Sequence, residues 1–362
     1  MKTSKFLKPA LEPISEKVMA GQRLTRADGI TLYRSSDLMG VGRLASVVRK
    51  RLYGTKTYYV LNQHLNYTNV CINRCLFCAY SKDQGENGAF TLSLDQVIEL
   101  IGERKTEPIT EVHIVGGLNP ALPLSYYLDL IRAVKGIRPE VTVKAFTAVE
   151  IDYFSTISNL ELSEVFALLK DAGLSMMPGG GAEILSERVH QKLYNKKIGP
   201  ERWLEVTKAA HRAGIPTNAT MLYGHIETTE ERVDHLLKLR DLQDETGGIQ
   251  AFIPLAFHSE NTKLAHLPPT TAMDDLKTIA VARLLLDNVP HIKAYWVMVT
   301  PALAQIAMAF GADDMDGTVV EEKITHMAGA RTPKGLTREQ IREMIELAGY
   351  EPIERNAFYE PA

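Results

Sequence analysis

The chain has 362 residues, 45% of them hydrophobic and 23% charged, with a formal net charge of −3. That balance carries no basic excess for nucleic acid and no uninterrupted run of about 18 apolar residues for a membrane span. The opening MKTSKFLKPALEP has lysines but no apolar stretch or small-residue cleavage site, so no secretory signal is expected.

Residues 1–50 read as an N-terminal helical extension that caps one end of a larger domain. From about residue 51 a unit recurs: a short apolar run, a loop, then an amphipathic helix. The runs are YYVLNQHL, EVHIVGG, VTVKAFT, GLSMMPGG, IPTNATMLYG, IQAFIPLAF and HIKAYWVM. Near-continuous apolar runs of this length are the mark of parallel strands covered on both faces. Helices fill the gaps. Ser93 with Gln96 makes a capping box ahead of Val97, Leu100 and Ile101, and Thr228 with Glu231 does the same ahead of Val233, Leu236 and Leu237. Seven such strands in an alternating βα order predict an α/β fold, a (β/α)8 barrel of the TIM type over residues 51–320, which needs roughly 250 residues. The eighth strand is expected within AQIAMAFGADDMDG, and a doubly wound open sheet is the alternative. Residues 321–362 are expected to form an extension packed on the barrel, with LTREQIREMIELAGY as its helix. Asp313, Asp314 and Asp316 lack the spacing of an EF-hand loop and are expected to close the barrel mouth.

All three cysteines, Cys71, Cys75 and Cys78, fall in NYTNVCINRCLFCAYS, after the first strand. An odd, clustered set argues against a disulfide framework and for a reducing cytoplasm. The loop lies at the C-terminal mouth, where barrel active sites form. A structural zinc would want a fourth protein ligand, and the ten histidines are scattered without metal-site spacing. A cubane [4Fe–4S] cluster held by three cysteines keeps its fourth iron open to a ligand. A Cys3His zinc site and free thiols are the alternatives.

C-x3-C-x2-C with Phe77 just before the last cysteine resembles the radical S-adenosylmethionine enzymes. The resemblance implies that S-adenosylmethionine chelates the open iron through its amino and carboxylate groups. It would then be cleaved by one electron to methionine and a 5′-deoxyadenosyl radical, with reduced flavodoxin or ferredoxin as donor. It also implies that Phe77 packs near the adenine; loop core is its ordinary role. Gly116 and Gly117 would bind the methionine amino group, their missing Cβ atoms admitting a ligand. Glu150 and Glu183 would accept from ribose hydroxyls or the ammonium, and Arg188 would meet the carboxylate.

The phrases VHIVGGLNP, MPGGGAEILSERV, ATMLYGHIETTEERVDHLLKLRDLQDETGG and AFIPLAFHSENTKL extend the resemblance from about residue 50 onward. They are similar to the radical enzymes of the futalosine route to menaquinone, most of all the aminofutalosine synthase family. Dehypoxanthine futalosine cyclase and the F0 synthases are the nearest alternatives, and a non-redox zinc barrel is the alternative from another class. Asn119 stands where the family has a histidine. The implied reaction adds the adenosyl radical to the vinyl carbon of 3-[(1-carboxyvinyl)oxy]benzoate. Ring attack and decarboxylation then give 6-amino-6-deoxyfutalosine and methionine. Its two carboxylates call for donors, for which Tyr223, His225 and His258 at strand ends are the catalytic candidates and Asn66 and Asn218 the binding ones. His211, His235 and His291 are expected to be structural.

Overall fold

A computed structural model describes residues 7–320 and 322–362; residues 1–6 of the expected helical extension and the first residue of the C-terminal extension, Glu321, lie outside the described residues. The strands are β1 (Lys56–Val60), β2 (Asn62–Leu65), β3 (Glu111–Ile114), β4 (Thr142–Ala145), β5 (Leu174–Met176), β6 (Thr217–Tyr223), β7 (Ile249–Ala256), β8 (His291–Ile292), β9 (Asp314–Gly317) and β10 (Glu351–Arg355). They run in the orders β2-β3-β4-β5, β6-β7-β8 and β10-β1-β9, every ladder parallel. Single parallel bridges Met177–Thr217, Lys293–Asp314 and Gln63–Val320 join these sheets edge to edge and close the ring.

The expected barrel is therefore present. The first strand is split at Leu61, where its two halves take different neighbours: β1 pairs with β9 and β10, β2 with β3 and Val320. The eighth strand is β9, at the end of the stretch expected to hold it. HIKAYWVM contains only a two-residue strand before the helical turn Trp296–Val299, whose Trp296 indole donates to Gly317 O at 2.8 Å.

The expected capping boxes form at Ser93/Gln96 and Thr228/Glu231, starting the helices Leu94–Gly102 and Thr229–Thr246. The N-terminal helices Arg26–Arg34 and Leu38–Tyr53 pack on the outer helices Thr229–Thr246 and Ala272–Leu285. Near the C-terminus, the helix Arg338–Leu347 leads into β10, which is hydrogen-bonded along β1 from Lys56↔Glu351 to Val60↔Arg355. The extension thus contributes a strand, which the sequence reading did not foresee.

Candidate active site

The loop after β2 is held against the barrel by its own backbone. Cys71 N donates to Lys82 O (3.1 Å), Ile72 N to Leu118 O (3.1 Å), and Cys78 N to Cys75 O (3.1 Å). Two glycines at the end of β3 make the approach possible. A Cβ on Gly117 would lie 2.2 Å from Val70 O, and one on Gly116 would lie 2.6 Å from the Tyr67 ring. The space they leave is filled by the cysteine loop itself. Their N–H groups are also taken, by Glu150 Oε1 (3.2 Å) and Thr68 O (2.9 Å).

Docked this way, the loop forms one wall of a cavity of about 360 Å³ in the barrel mouth, and Cys71, Cys75 and Cys78 all line it. Burial pushes the Cys75 thiol up to about 12 and raises Cys78 as well. Thiols so placed ionise only with a strong cation beside them, which iron supplies. Among the described residues no three His, Cys, Asp or Glu groups converge as ligands of a single ion do. A cubane takes each thiolate on a different iron and has no such requirement. Three thiols on one cavity wall, facing open space, fit a three-cysteine cluster.

Phe77, Gly180, Gly181, Glu183 and Lys197 continue the wall. Glu183 sits at φ +47°, a left-handed conformation costly for a residue with a side chain. It is held there by Leu222 N donating to its carbonyl (2.9 Å) and by an ion pair with Lys197. Lys197 Nζ stands 5.5 Å above the Phe77 ring. Burial alone would lower the Lys197 pKa, but the facing Glu183 and Cys75 raise it, so the ammonium is retained.

Glu150, also in the wall, caps the helix Ala148–Ser158. Its carboxylate accepts from Tyr67 Oη (2.7 Å), Gly116 N, Thr147 N (2.7 Å) and Thr147 Oγ1 (2.9 Å). Burial raises it to about 6 despite these donors. Four donors occupy both oxygens, so Glu150 ties the β3 end to the β4 end. It is not the free acceptor expected.

On the far side, His258 lines the cavity with its Nε2 2.9 Å from Met298 O. A carbonyl only accepts, so that nitrogen carries a proton and Nδ1 faces away from the bond. Asn218 lines the cavity too, and its Oδ1 is buried without a partner.

The other expected residues are not brought into the cavity. Asn218, Thr220 and Leu222 of β6 point inward, so by the two-residue period Tyr223 points out; its hydroxyl donates to Asp275 Oδ1 at 2.7 Å. His225 is sealed beside Glu227, Nδ1 to Oε2 2.9 Å. Arg188 is bound outside the barrel by Glu231 and Ile226 O (2.7 Å). Asn66 links Val115 O (3.2 Å) to Lys323 N (3.3 Å), and Gly117 lies behind the wall. His211, His235 and His291 are hydrogen-bonded structural residues, as expected.

Sequence reading missed a polar layer lower in the cavity. His64, His113 and Lys144 are register partners on β2, β3 and β4, and Lys293 follows β8 on the opposite side. The signal was there: each is a polar residue inside a run otherwise taken as apolar.

A family model described as Radical SAM superfamily matches residues 65–239, and one described as CofH/MqnC C-terminal region matches residues 246–362. The chain is 51% identical to the aminodeoxyfutalosine synthase of Thermus thermophilus, over 97% of this chain and 95% of that one. It is 46% identical to that of Streptomyces coelicolor, over 96% and 92%. Identity falls to 38%, over 96% and 93%, with the 5-amino-6-(D-ribitylamino)uracil–L-tyrosine 4-hydroxyphenyl transferase 1 of Methanosarcina barkeri. Among solved structures, methylornithine synthase shares the fold with a TM-score of 0.76 at 17% identity, covering 94% of this chain and 97% of that one. The superfamily works with a [4Fe–4S] cluster and S-adenosylmethionine, the two groups the cysteine wall was expected to take. The chain belongs to the radical S-adenosylmethionine superfamily, in the family of the aminodeoxyfutalosine synthases.

Proposed function

We propose that this enzyme joins the adenosyl group of S-adenosylmethionine to 3-[(1-carboxyvinyl)oxy]benzoate. Decarboxylation then gives 6-amino-6-deoxyfutalosine and methionine. The observation that carries this reading is full-length identity of 51% to a synthase against 38% to a tyrosine hydroxyphenyl transferase.

When bound, the cluster and S-adenosylmethionine supply a 5′-deoxyadenosyl radical; the chain's own residues bind, orient and exclude water. Cys71, Cys75 and Cys78, on one cavity wall, would hold the cluster. Lys197 and Glu183, a buried cation and anion beside Phe77 and Cys75, suit the carboxylate and ammonium of the methionine moiety. Gly180 and Gly181 leave room for the nucleoside, with Phe77 against the adenine. His258 offers Nδ1 to a proton, and Asn218, its Oδ1 unpartnered, lines the cavity where substrate would lie. The single electron comes from a reduced flavodoxin or ferredoxin. No helix of the described residues is long and apolar enough to cross a membrane, and the thiols suit a reducing cytoplasm.

Anaerobic reconstitution with mass spectrometry of the products tests this. The adenosyl carbons are expected in the product, one methionine released for each. Stoichiometric free 5′-deoxyadenosine would assign the cyclase or F0 synthase chemistry instead, and zinc without sulfide would remove radical chemistry altogether.

A further inference from the structure

The buried ion pairs inside the barrel are unevenly satisfied. Lys144 has one partner, Glu111 Oε1 at 2.6 Å, and neither Glu111 oxygen finds a hydrogen bond of good geometry. Lys293 has one, Asp316 Oδ1 at 3.3 Å. An ammonium has three donors, so each lysine keeps capacity in hand. His64 and His113 stack at 4.5 Å with 5° between their planes, and neither ring has a hydrogen-bond partner among the described residues. Burial lowers both histidines, His113 the further, with His64, Lys144 and Lys293 adding to it. These groups therefore share one electrostatic space, and all four line the cavity.

A half-satisfied polar layer in a low-dielectric interior costs more than an apolar one, unless a ligand completes it. Each ammonium keeps two N–H donors open and each neutral imidazole one N–H and one lone pair, so donors outnumber acceptors here even with Asp316 and Glu322 in the same cavity lining. An anionic acceptor is the ligand that completes the layer. Its position is set by the chain. The cysteines lie six or more residues past the end of β2, at the mouth, whereas His64, His113 and Lys144 are on the strands below. The reacting vinyl carbon belongs near the cysteine wall, and the ring carboxylate, meta to the ether on the benzene ring, is the group that reaches down.

We infer that His64, His113, Lys144 and Lys293 form a carboxylate subsite that takes the ring carboxylate of an aromatic dicarboxylate substrate and so fixes its orientation. The inference rests on the substrate class proposed above. Lys144 and Lys293 supply charge from opposite sides of the barrel, and the histidine edges supply directional N–H groups between them.

The test is equilibrium binding to the reconstituted holoenzyme with S-adenosylmethionine and no reductant. The two probes are 3-[(1-carboxyvinyl)oxy]benzoate and the corresponding phenyl ether, which lacks only the ring carboxylate. Wild type is expected to prefer the benzoate on the order of 100-fold. Lys293→Met, and separately Lys144→Met paired with Glu111→Gln so that no carboxylate is stranded, should each remove most of that preference. Neither should change the phenyl ether's affinity or that of S-adenosylmethionine. Thermal unfolding identifies any variant that fails to fold, and His113→Asn then serves in its place. Full preference in all folded variants, or equal loss of both probes, overturns the subsite. If wild type binds S-adenosylmethionine but neither probe, the proposed substrate falls and the subsite with it.

Discussion

Two layers of buried charge brace this barrel, and they differ in how completely they are bonded. One lines the cavity, and one below it involves the outer helix Ala272–Leu285, β9 and β10. In the lower layer Arg283 donates to Gly311 O (2.9 Å), Pro290 O (2.9 Å) and Asp313, which also accepts from Ile292 N (2.8 Å) and His291 Nδ1 (2.6 Å). Arg355 donates to Asp314 Oδ2 through Nε (2.7 Å) and to Asn356 O through Nη1 (3.0 Å), stands in ion-pair contact with Asp314 Oδ2 through Nη2 (2.6 Å), and covers the Tyr359 ring at 4.1 Å. In the upper layer each lysine has a single carboxylate and the histidines none. The lower layer is architecture: its groups bond one another and backbone carbonyls, and none of them lines the cavity. The upper one is open toward the cavity, which is what a binding surface needs. A census of donors and acceptors separates two groups of buried charge that composition and burial alone would merge.

The sharpest way to break this comparison is to strand a charge in the lower layer. Asp314→Ala leaves Arg355 buried without its carboxylate and should cost about 3–5 kcal/mol in chemical denaturation. A loss under about 1 kcal/mol would erase the distinction. Next comes the pH dependence at the wall. Buried Glu150 titrates at about 6 against 4.5 when free. Because the folded value is the higher, its contribution to stability is full below pH 4.5 and is lost as pH rises through 6. The total is about 2 kcal/mol. Urea titrations at pH 4.5 and 7 should show that slope shrinking in Glu150→Gln.

In the upper layer Lys293→Met should cost only about 1–2 kcal/mol, since water in the cavity can solvate Asp316. A loss as large as that of Asp314→Ala would mean the two layers are equally structural. The smallest effect is expected at Arg188→Ala, outside the barrel. Its ion pair with Glu231 is solvent-accessible and worth under about 1 kcal/mol. Affinity for S-adenosylmethionine, measured by calorimetry, should not change; a large loss would return Arg188 to the cofactor site.

The limits of the sequence run along the same division. The cysteine loop was legible because its chemistry is contiguous: three thiols, one aromatic, one loop. Strands and capped helices were legible through periodicity. The upper layer was not, because both faces of a barrel strand are buried and alternation carries no sign of which is inside. Tyr223 was misassigned on that ground, and only Asn218 and Thr220 in the cavity wall fix the phase of β6. β9 was hard to read because Asp314, Asp316 and Gly317 are poor strand formers; neutralisation by Arg355 and Lys293, remote in sequence, makes the strand possible. Arg188 failed for a similar reason, since Glu231, on the helix after β6, captures it.

The pairing of β1 with β10 has a consequence for how the molecule is made. Tyr59 and Glu354 are 295 residues apart yet hydrogen-bonded at 2.9 Å. At translation speeds of about 5–20 residues per second, a nascent β1 waits roughly 15–60 s for that neighbour to be synthesised. For that interval its edge is an open template for wrong partners, so ribosome-associated chaperones are expected to hold this segment, and spontaneous refolding from denaturant to be slow.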